Sequence, residues 1–280
     1  MKIAIIGTGV MGSGIAIESI RAGYTTLLFD IDTAALDRAK IYIQQQLDKA
    51  QSIGKINNED RLTALDKITY TAEFADLKAD FILEAIVEKL QVKQELFAKL
   101  ELQNTKNCIF ATNTSSIPIT QIARGLKHPE RLVGVHFFNP AHIMKLVEII
   151  SGAATHETIA QQAYDWAIKL GKTAVYAKDA PGFIVNRVAR HFYVESLKAL
   201  EEQVADLEQM DRLMRATGFK MGPFELMDLI GVETNYSVTQ SMFEQFQYDS
   251  KFRPSRIQKQ KVDAGFYGRK TKKGFYTYES

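Results

Sequence analysis

Residues 3–12 read Ile-Ala-Ile-Ile-Gly-Thr-Gly-Val-Met-Gly, and no other stretch limits the fold of this chain so tightly. Four apolar residues, 3–6, form a compact strand candidate, and glycines at positions 7, 9 and 12 follow at once. Ile15, Ile17 and Ile20 continue as a largely apolar helix stopped by Gly23, and residues 25–29 read as a second strand closing on Asp30. Strand, glycine loop, helix, strand and acid occur in the order of a βαβ dinucleotide unit. Gly7 permits the tight turn, Gly9 lets the backbone approach a pyrophosphate, and Gly12 allows the helix to pack closely on the strand. Val10 and Met11 stand between them, where the first N–H groups of the helix and its positive dipole end attract phosphate. A lone GxGxxG says little; the strand before it, the helix after it and the acid at position 30 give it weight. Asp30 suits the hydroxyls of a ribose and repels a 2′-phosphate, and Ile31-Asp32-Thr33 offers no arginine to hold one. The expected cofactor is therefore NAD rather than NADP.

Further strand candidates lie at 68–71, 81–85, 108–112, 132–136, 145–150 and 173–177. Helical patterns separate several of them, at 33–53, 90–100, 117–123 and 157–170, with Asn57 and Asn58 placed to cap a short helix through Leu65. Alternation of this kind predicts an α/β chain with a Rossmann-type, doubly wound, mostly parallel sheet. The character changes near Asp179-Ala180-Pro181-Gly182. Helical patterns follow at 184–201, 206–216, 222–229, 234–246 and 255–264, and only the last few residues read as strand. The expected domains are thus an NAD-binding unit at 1–180 and a smaller all-α unit at 181–280, which would face a substrate cleft and dimerise. No internal repeat or low-complexity tract is visible.

Composition closes off several function classes. A formal charge of +2 over 280 residues makes no electrostatic case for nucleic acid or a membrane surface. Cys108 is the only cysteine, so no intrachain disulfide can form, and its apolar surroundings suit a small buried hydrophobe better than a nucleophile. No apolar run approaches membrane-spanning length, and the apolar run before Gly7 is too short for a signal peptide. A cytoplasmic protein without a metal is expected.

The chemistry is expected at the carboxyl ends of the strands, where open α/β sheets bind ligands. The segment 132–136 delivers His136 to such an end, Asn139-Pro140 breaks the chain, and a second apolar run carries Glu148. Two strands side by side would bring imidazole and carboxylate together, and a carboxylate on one ring nitrogen leaves the other as a base. A histidine in an apolar segment is equally the mark of a satisfied core residue. Glu84-Ala85-Ile86-Val87-Glu88 and Thr112-Asn113-Thr114-Ser115-Ser116 follow two other strands. The second is unusually polar for a strand exit, although a capped loop into the Pro118 helix reads the same way. Asn186 is an amide on an apolar helical segment and needs a partner if buried. Lys40, Lys49 and Lys55, on or just past the 33–53 helix, either receive phosphates or lie on a solvated face.

Taken together, these stretches resemble the L-3-hydroxyacyl-CoA dehydrogenase family. The resemblance rests on residues 7–14, 84–88 and 113–116, His136-Phe137-Phe138-Asn139-Pro140, and residues 144–148, 181–187 and 221–226. It closes with Gly268-Arg269-Lys270 and Gly274-Phe275-Tyr276. It runs the length of the chain in order and is nearest the bacterial single-function 3-hydroxybutyryl-CoA dehydrogenases. It implies NAD-dependent, reversible oxidation of an L-3-hydroxyacyl-CoA to the 3-ketoacyl-CoA. His136 would be the general base, Glu148 its orienting carboxylate, and Ser115 and Asn186 partners of the reacting oxygen or the imidazole. Asp30 would bind the adenosine ribose, Glu88 and Lys93 would face the nicotinamide ribose, and Asn113 would also line the cofactor. Asn139, Lys49 and Lys55 would contact the acyl-CoA, although Ile53 stands where many relatives have a lysine. His142 stands where relatives have a small or apolar residue, and reads as lying behind the site or on the surface. The resemblance also implies a homodimer formed by the all-α domain.

Three other readings stay open. Residues 221–236 look like members that take 3-hydroxyadipyl-CoA in aromatic-acid degradation. A related dehydrogenase of free hydroxy or sugar acids shares the glycine loop but tends to lack Phe137-Phe138. A non-catalytic NAD-binding structural protein has no use for His136, Glu148, Ser115 and Asn186 together.

Overall fold

A computed structural model describes residues 1–279, and the chain divides into two compact units between Ala180 and Pro181. The first unit is built on eight strands: β1 (Lys2–Ile6), β2 (Thr25–Phe29), β3 (Ile68–Thr71), β4 (Phe81–Glu84), β5 (Ile109–Thr112), β6 (Leu132–Phe137), β7 (Leu146–Ser151) and β8 (Thr173–Lys178). They form one sheet in the order β3-β2-β1-β4-β5-β6-β7-β8. Every neighbouring pair is parallel except β6 and β7, which run antiparallel. Six helices accompany it: α1 (Val10–Arg21), α2 (Thr33–Ser52), α3 (Asn58–Leu65), α4 (Leu90–Gln103), α5 (Ile119–Ile122) and α6 (Glu157–Lys169).

The central strands are apolar on both faces because parallel sheets are covered on both sides. Ile3, Ile5, Phe81, Leu83, Ala111, Val133 and Val135 are all buried, in one core with Trp166 of α6. Phe81 and Trp166 pack with ring centroids 4.6 Å apart. On α2, Leu36, Ala39, Ile43 and Leu47 face that core at helical spacing, and Asp32 caps the helix by accepting the Ala34 N–H at 2.9 Å. Asn57 and Asp60 form a reciprocal capping box at the start of α3.

Among the described residues the second unit holds five α-helices: α7 (Val185–Glu201), α8 (Leu207–Ala216), α9 (Pro223–Ile230), α10 (Val232–Gln245) and α11 (Arg256–Asp263). Tyr193, Leu197, Phe224, Met227, Val232 and Phe275 make its core. The strand expected in the last residues does not form; the described backbone there has only isolated bridges, Gly268 to Lys273 and Lys273 to Thr277. The reason is a competing acceptor. Buried Asp228 takes the N–H groups of Phe275 and Tyr276 at 2.8 and 2.9 Å, so they are spent before a ladder can use them. Gly268 and Gly274 are needed there because a Cβ at either would meet Asp228 at under 2.5 Å. No helix among the described residues is long and apolar enough to cross a membrane.

Candidate active site

The glycine loop is shaped by contact as much as by flexibility. Gly7 has φ 101°, and a Cβ there would lie 2.6 Å from the Ala85 carbonyl oxygen at the end of β4. A Cβ on Gly12 would lie 1.8 Å from the Gly7 carbonyl oxygen, so α1 can approach β1 only with glycine at that point. Gly9 is different: nothing lies within 4 Å of its Cβ position, and no side chain caps α1. An open face at Gly9 beside uncapped helical N–H groups fits a pyrophosphate. Val10 is exposed and Met11 half-buried, on the first turn of α1. At the end of β2, Asp30 Oδ2 accepts the Thr8 N–H at 2.9 Å and the Thr8 hydroxyl at 2.7 Å, while Oδ1 accepts the Asp32 N–H. The carboxylate is thus fixed beside the loop. Thr8 was not singled out from sequence, although a hydroxyl between two loop glycines is a legible hint of such a role.

At the end of β4 and β5 a chain of buried polar contacts organises the next loops. Glu84 is fully buried; one oxygen accepts the Lys93 ammonium at 2.6 Å and the Ile86 N–H at 2.7 Å, the other the Thr112 hydroxyl at 2.7 Å. Lys93, itself 1% exposed, also reaches Glu88 at 3.1 Å. Glu88 in turn accepts the Thr114 hydroxyl at 2.6 Å and the Ser115 N–H at 2.9 Å. Burial opposes ionisation of Glu88, but the Lys93 charge and these donors outweigh it and hold its carboxyl below the ordinary range. Asn113 Oδ1 accepts the Phe137 N–H at 2.9 Å, which ties the exit of β5 to the end of β6. Lys93 and Asn113, both expected to line the cofactor, thus hold neighbouring protein groups.

His136 and Glu148 are direct partners in the register of antiparallel β6 and β7. His136 Nδ1 stands 2.7 Å from Glu148 Oε2, with the imidazole 5% exposed and the carboxylate fully buried. Twelve positions apart in sequence, they meet because opposed residues of an antiparallel pair share a face. The two phenylalanines after His136 point to different neighbours: Phe137 packs on Trp166 at 5.9 Å between centroids, and Phe138 lies 4.5 Å from the His136 ring. The imidazole is therefore held at one edge by a carboxylate and flanked by an aromatic ring.

The remaining sequence candidates are placed as follows. Ser115 is half-buried in the Glu88 loop, and Asn139 is exposed at the turn after β6. Lys40 and Lys49 are exposed on α2 and Lys55 is exposed just beyond it; none of the three forms a described ion pair. His142 is half-buried with its ring edge-on to Tyr42 at 6.1 Å, and burial lowers its pKa. Asn186 belongs to the second unit, in the first turn of α7. Cys108 is buried and its thiol is pushed up to about 12 by that burial, so it stays protonated.

Comparison with known proteins bears on these arrangements. Residues 2–180 match the family model described as 3-hydroxyacyl-CoA dehydrogenase, NAD binding domain, and residues 182–278 match that family's C-terminal domain. A 3-hydroxyadipyl-CoA dehydrogenase of Escherichia coli K12 is 43% identical over 99% of this chain, which spans 59% of that protein's length. A probable 3-hydroxybutyryl-CoA dehydrogenase of Deinococcus radiodurans is 38% identical over 99% of this chain and all of its own. The crystal structure of (S)-3-hydroxybutyryl-CoA dehydrogenase from Ralstonia eutropha superposes with a TM-score of 0.96 at 33% identity, covering 100% of this chain and 99% of that one.

Proposed function

This chain belongs to the 3-hydroxyacyl-CoA dehydrogenase family, and from that premise we propose the reaction and the residues that carry it. The protein oxidises an L-3-hydroxyacyl-CoA reversibly to the 3-ketoacyl-CoA, with NAD as the cofactor. Gly7, Gly9, Val10, Met11 and Gly12 hold the pyrophosphate, and Asp30 holds the adenosine ribose. When bound, NAD supplies the acceptor for the hydride that leaves C3. His136 takes the proton of the 3-hydroxyl. Its Nδ1 is committed to Glu148 at 2.7 Å, which makes Nε2 the nitrogen that exchanges a proton with substrate. Glu148 stabilises the imidazolium formed as the carbonyl develops. The single observation behind this assignment is that buried His–Glu pair at a strand end, in the same sheet as the glycine loop.

Ser115, on the loop that Glu88 fixes, is assigned to the reacting oxygen, and Glu88 to the nicotinamide ribose. Lys93 serves indirectly, by holding Glu88. Asn186 carries a catalytic assignment from the family pattern alone, and Asn139, Lys49 and Lys55 carry substrate assignments on the same ground. The test is NADH consumption with acetoacetyl-CoA. His136→Gln lowers kcat about 10²–10⁴-fold with NADH affinity nearly intact; near-wild-type kcat would remove His136 from the mechanism. Equal activity on free acetoacetate would favour a dehydrogenase of free acids instead.

A second reading concerns the acyl tail. The 43% identity to an Escherichia coli 3-hydroxyadipyl-CoA dehydrogenase favours a substrate with a terminal carboxylate. A higher kcat/KM for 3-hydroxyadipyl-CoA than for 3-hydroxybutyryl-CoA supports it, and the reverse order excludes it. The second unit is further assigned to homodimerisation. Val188, Leu213 and Phe219 are 70%, 62% and 51% exposed there. A monomeric mass by light scattering would overturn that assignment.

A further inference from the structure

Glu84 is the least accounted-for charge in the first unit. Resting on the reading above, in which Glu88 faces the nicotinamide ribose, we propose that Glu84, Lys93 and Glu88 act as one electrostatic device that favours oxidised over reduced cofactor. Two carboxylates share one ammonium: Lys93 Nζ lies 2.6 Å from Glu84 and 3.1 Å from Glu88. Among the described residues no second cation pairs with either acid, so the group carries a net charge of −1. Glu84 and Lys93 are 1% exposed or less and Glu88 is 37% exposed, so solvent screens that charge only in part.

Position supports the assignment. Glu84 ends β4, in register with Ile6 of β1 on one side and Thr112 of β5 on the other. The glycine loop follows the first of these and the Ser115 loop follows the second. The excess charge therefore lies at the carboxyl edge of the sheet, between the two loops that receive the cofactor. The nicotinamide ring carries a positive charge when oxidised and none when reduced, while the rest of the cofactor keeps the same charge. A fixed negative charge nearby discriminates between the two forms, and one carrying no hydrogen bond to the ring still does so. Glu84 is thus an electrostatic positioning residue: it holds Lys93 and leaves the surplus charge in place.

The experiment is a pair of cofactor titrations on the full-length protein, NADH by its fluorescence and NAD by competition. Glu84→Gln keeps the shape and removes one charge. The ratio Kd(NAD)/Kd(NADH) rises about three- to tenfold, the size expected for one unit charge acting through partly solvated protein. An equal change in both constants, or none, overturns the proposal, because a merely structural role weakens both forms alike. Where Glu84→Gln does not fold, Glu88→Gln decides the matter in the same way, since a ribose contact is common to both forms and cancels in the ratio. Thr112→Val, which removes a hydrogen bond but no charge, leaves the ratio unchanged; a rise of the same size there also overturns it. Wild-type protein that binds no NADH, or binds it without reducing acetoacetyl-CoA, counts instead against the assigned reaction.

Discussion

The two units bury charge in opposite ways. In the first, the buried charges meet opposite charges, Lys93 with Glu84, Arg131 with Glu101 and Lys172 with Glu18, and Glu148 meets the His136 imidazole. In the second, Arg190, Asp211 and Asp228 are each 3% exposed or less, and none has an ionic partner among the described residues. Neutral groups surround them instead. Asp228 accepts two backbone N–H groups and the Tyr278 hydroxyl, and Asp211 accepts two N–H groups and the Tyr276 hydroxyl. Arg190 donates to the Asn235 carbonyl and the Thr239 hydroxyl and stacks on Tyr193. Ion pairs let both signs of charge be buried together in the first unit. Neutral partners suit one whose buried acids serve as anchors for backbone.

Deleting one partner separates the two strategies. Lys93→Met strands the fully buried Glu84 and takes the ammonium away from the more exposed Glu88, at a cost of about 3–5 kcal/mol. Trp166, the only tryptophan, is buried in the first unit, so its fluorescence during urea unfolding reads that loss directly. An unchanged midpoint would mean that the pairing is not what keeps these acids buried. Asp228→Asn costs about 2–3 kcal/mol, because an amide cannot accept from all three donors. Hydrogen exchange should show residues 268–278 opening first; protection as in the parent would deny Asp228 its anchoring role.

Acidity sharpens the contrast with a smaller effect. The Glu88 carboxyl is held below its ordinary range, so its contribution is present above the unfolded value of about 4.3 and is lost as pH falls through the folded one. The stability gap between wild type and Glu88→Gln should therefore close as pH drops, again read at Trp166. Burial raises the Asp211 carboxyl, so its contribution has the opposite sign: full below the unfolded value, and lost as pH rises through the folded one. The smallest effect is expected at Arg190, which burial has already lowered to about 10. Arg190→Met removes a buried charge without stranding another, and denaturation should shift by no more than about 1 kcal/mol. A loss as large as that of Lys93→Met would erase the distinction between the units.

Much of this molecule was legible residue by residue. Local periodicity reports local structure, so all eight strands of the sheet and the helices of both units lie within a few residues of where the pattern puts them. Gly12 and Asp30 were legible for the same reason: each is required by a contact inside one short βαβ unit, whereas the Ala85 carbonyl that excludes a Cβ at Gly7 comes from beyond β4. The limits of this legibility fall where partners come from distant strands. Nothing in 146–151 announces that β7 runs antiparallel to β6, and only that direction sets Glu148 opposite His136. Nothing local distinguishes Lys93 from the exposed lysines of α2; its burial follows from where α4 meets the ends of β4 and β5. Asp228 looks like any helical acid until it takes the N–H groups of Phe275 and Tyr276, 47 and 48 residues away. The sequence by itself therefore determined the elements, the dinucleotide unit and the candidate base. The tertiary structure decided which charges are buried together, because desolvation and pairing depend on sheet order and register, which no single segment contains.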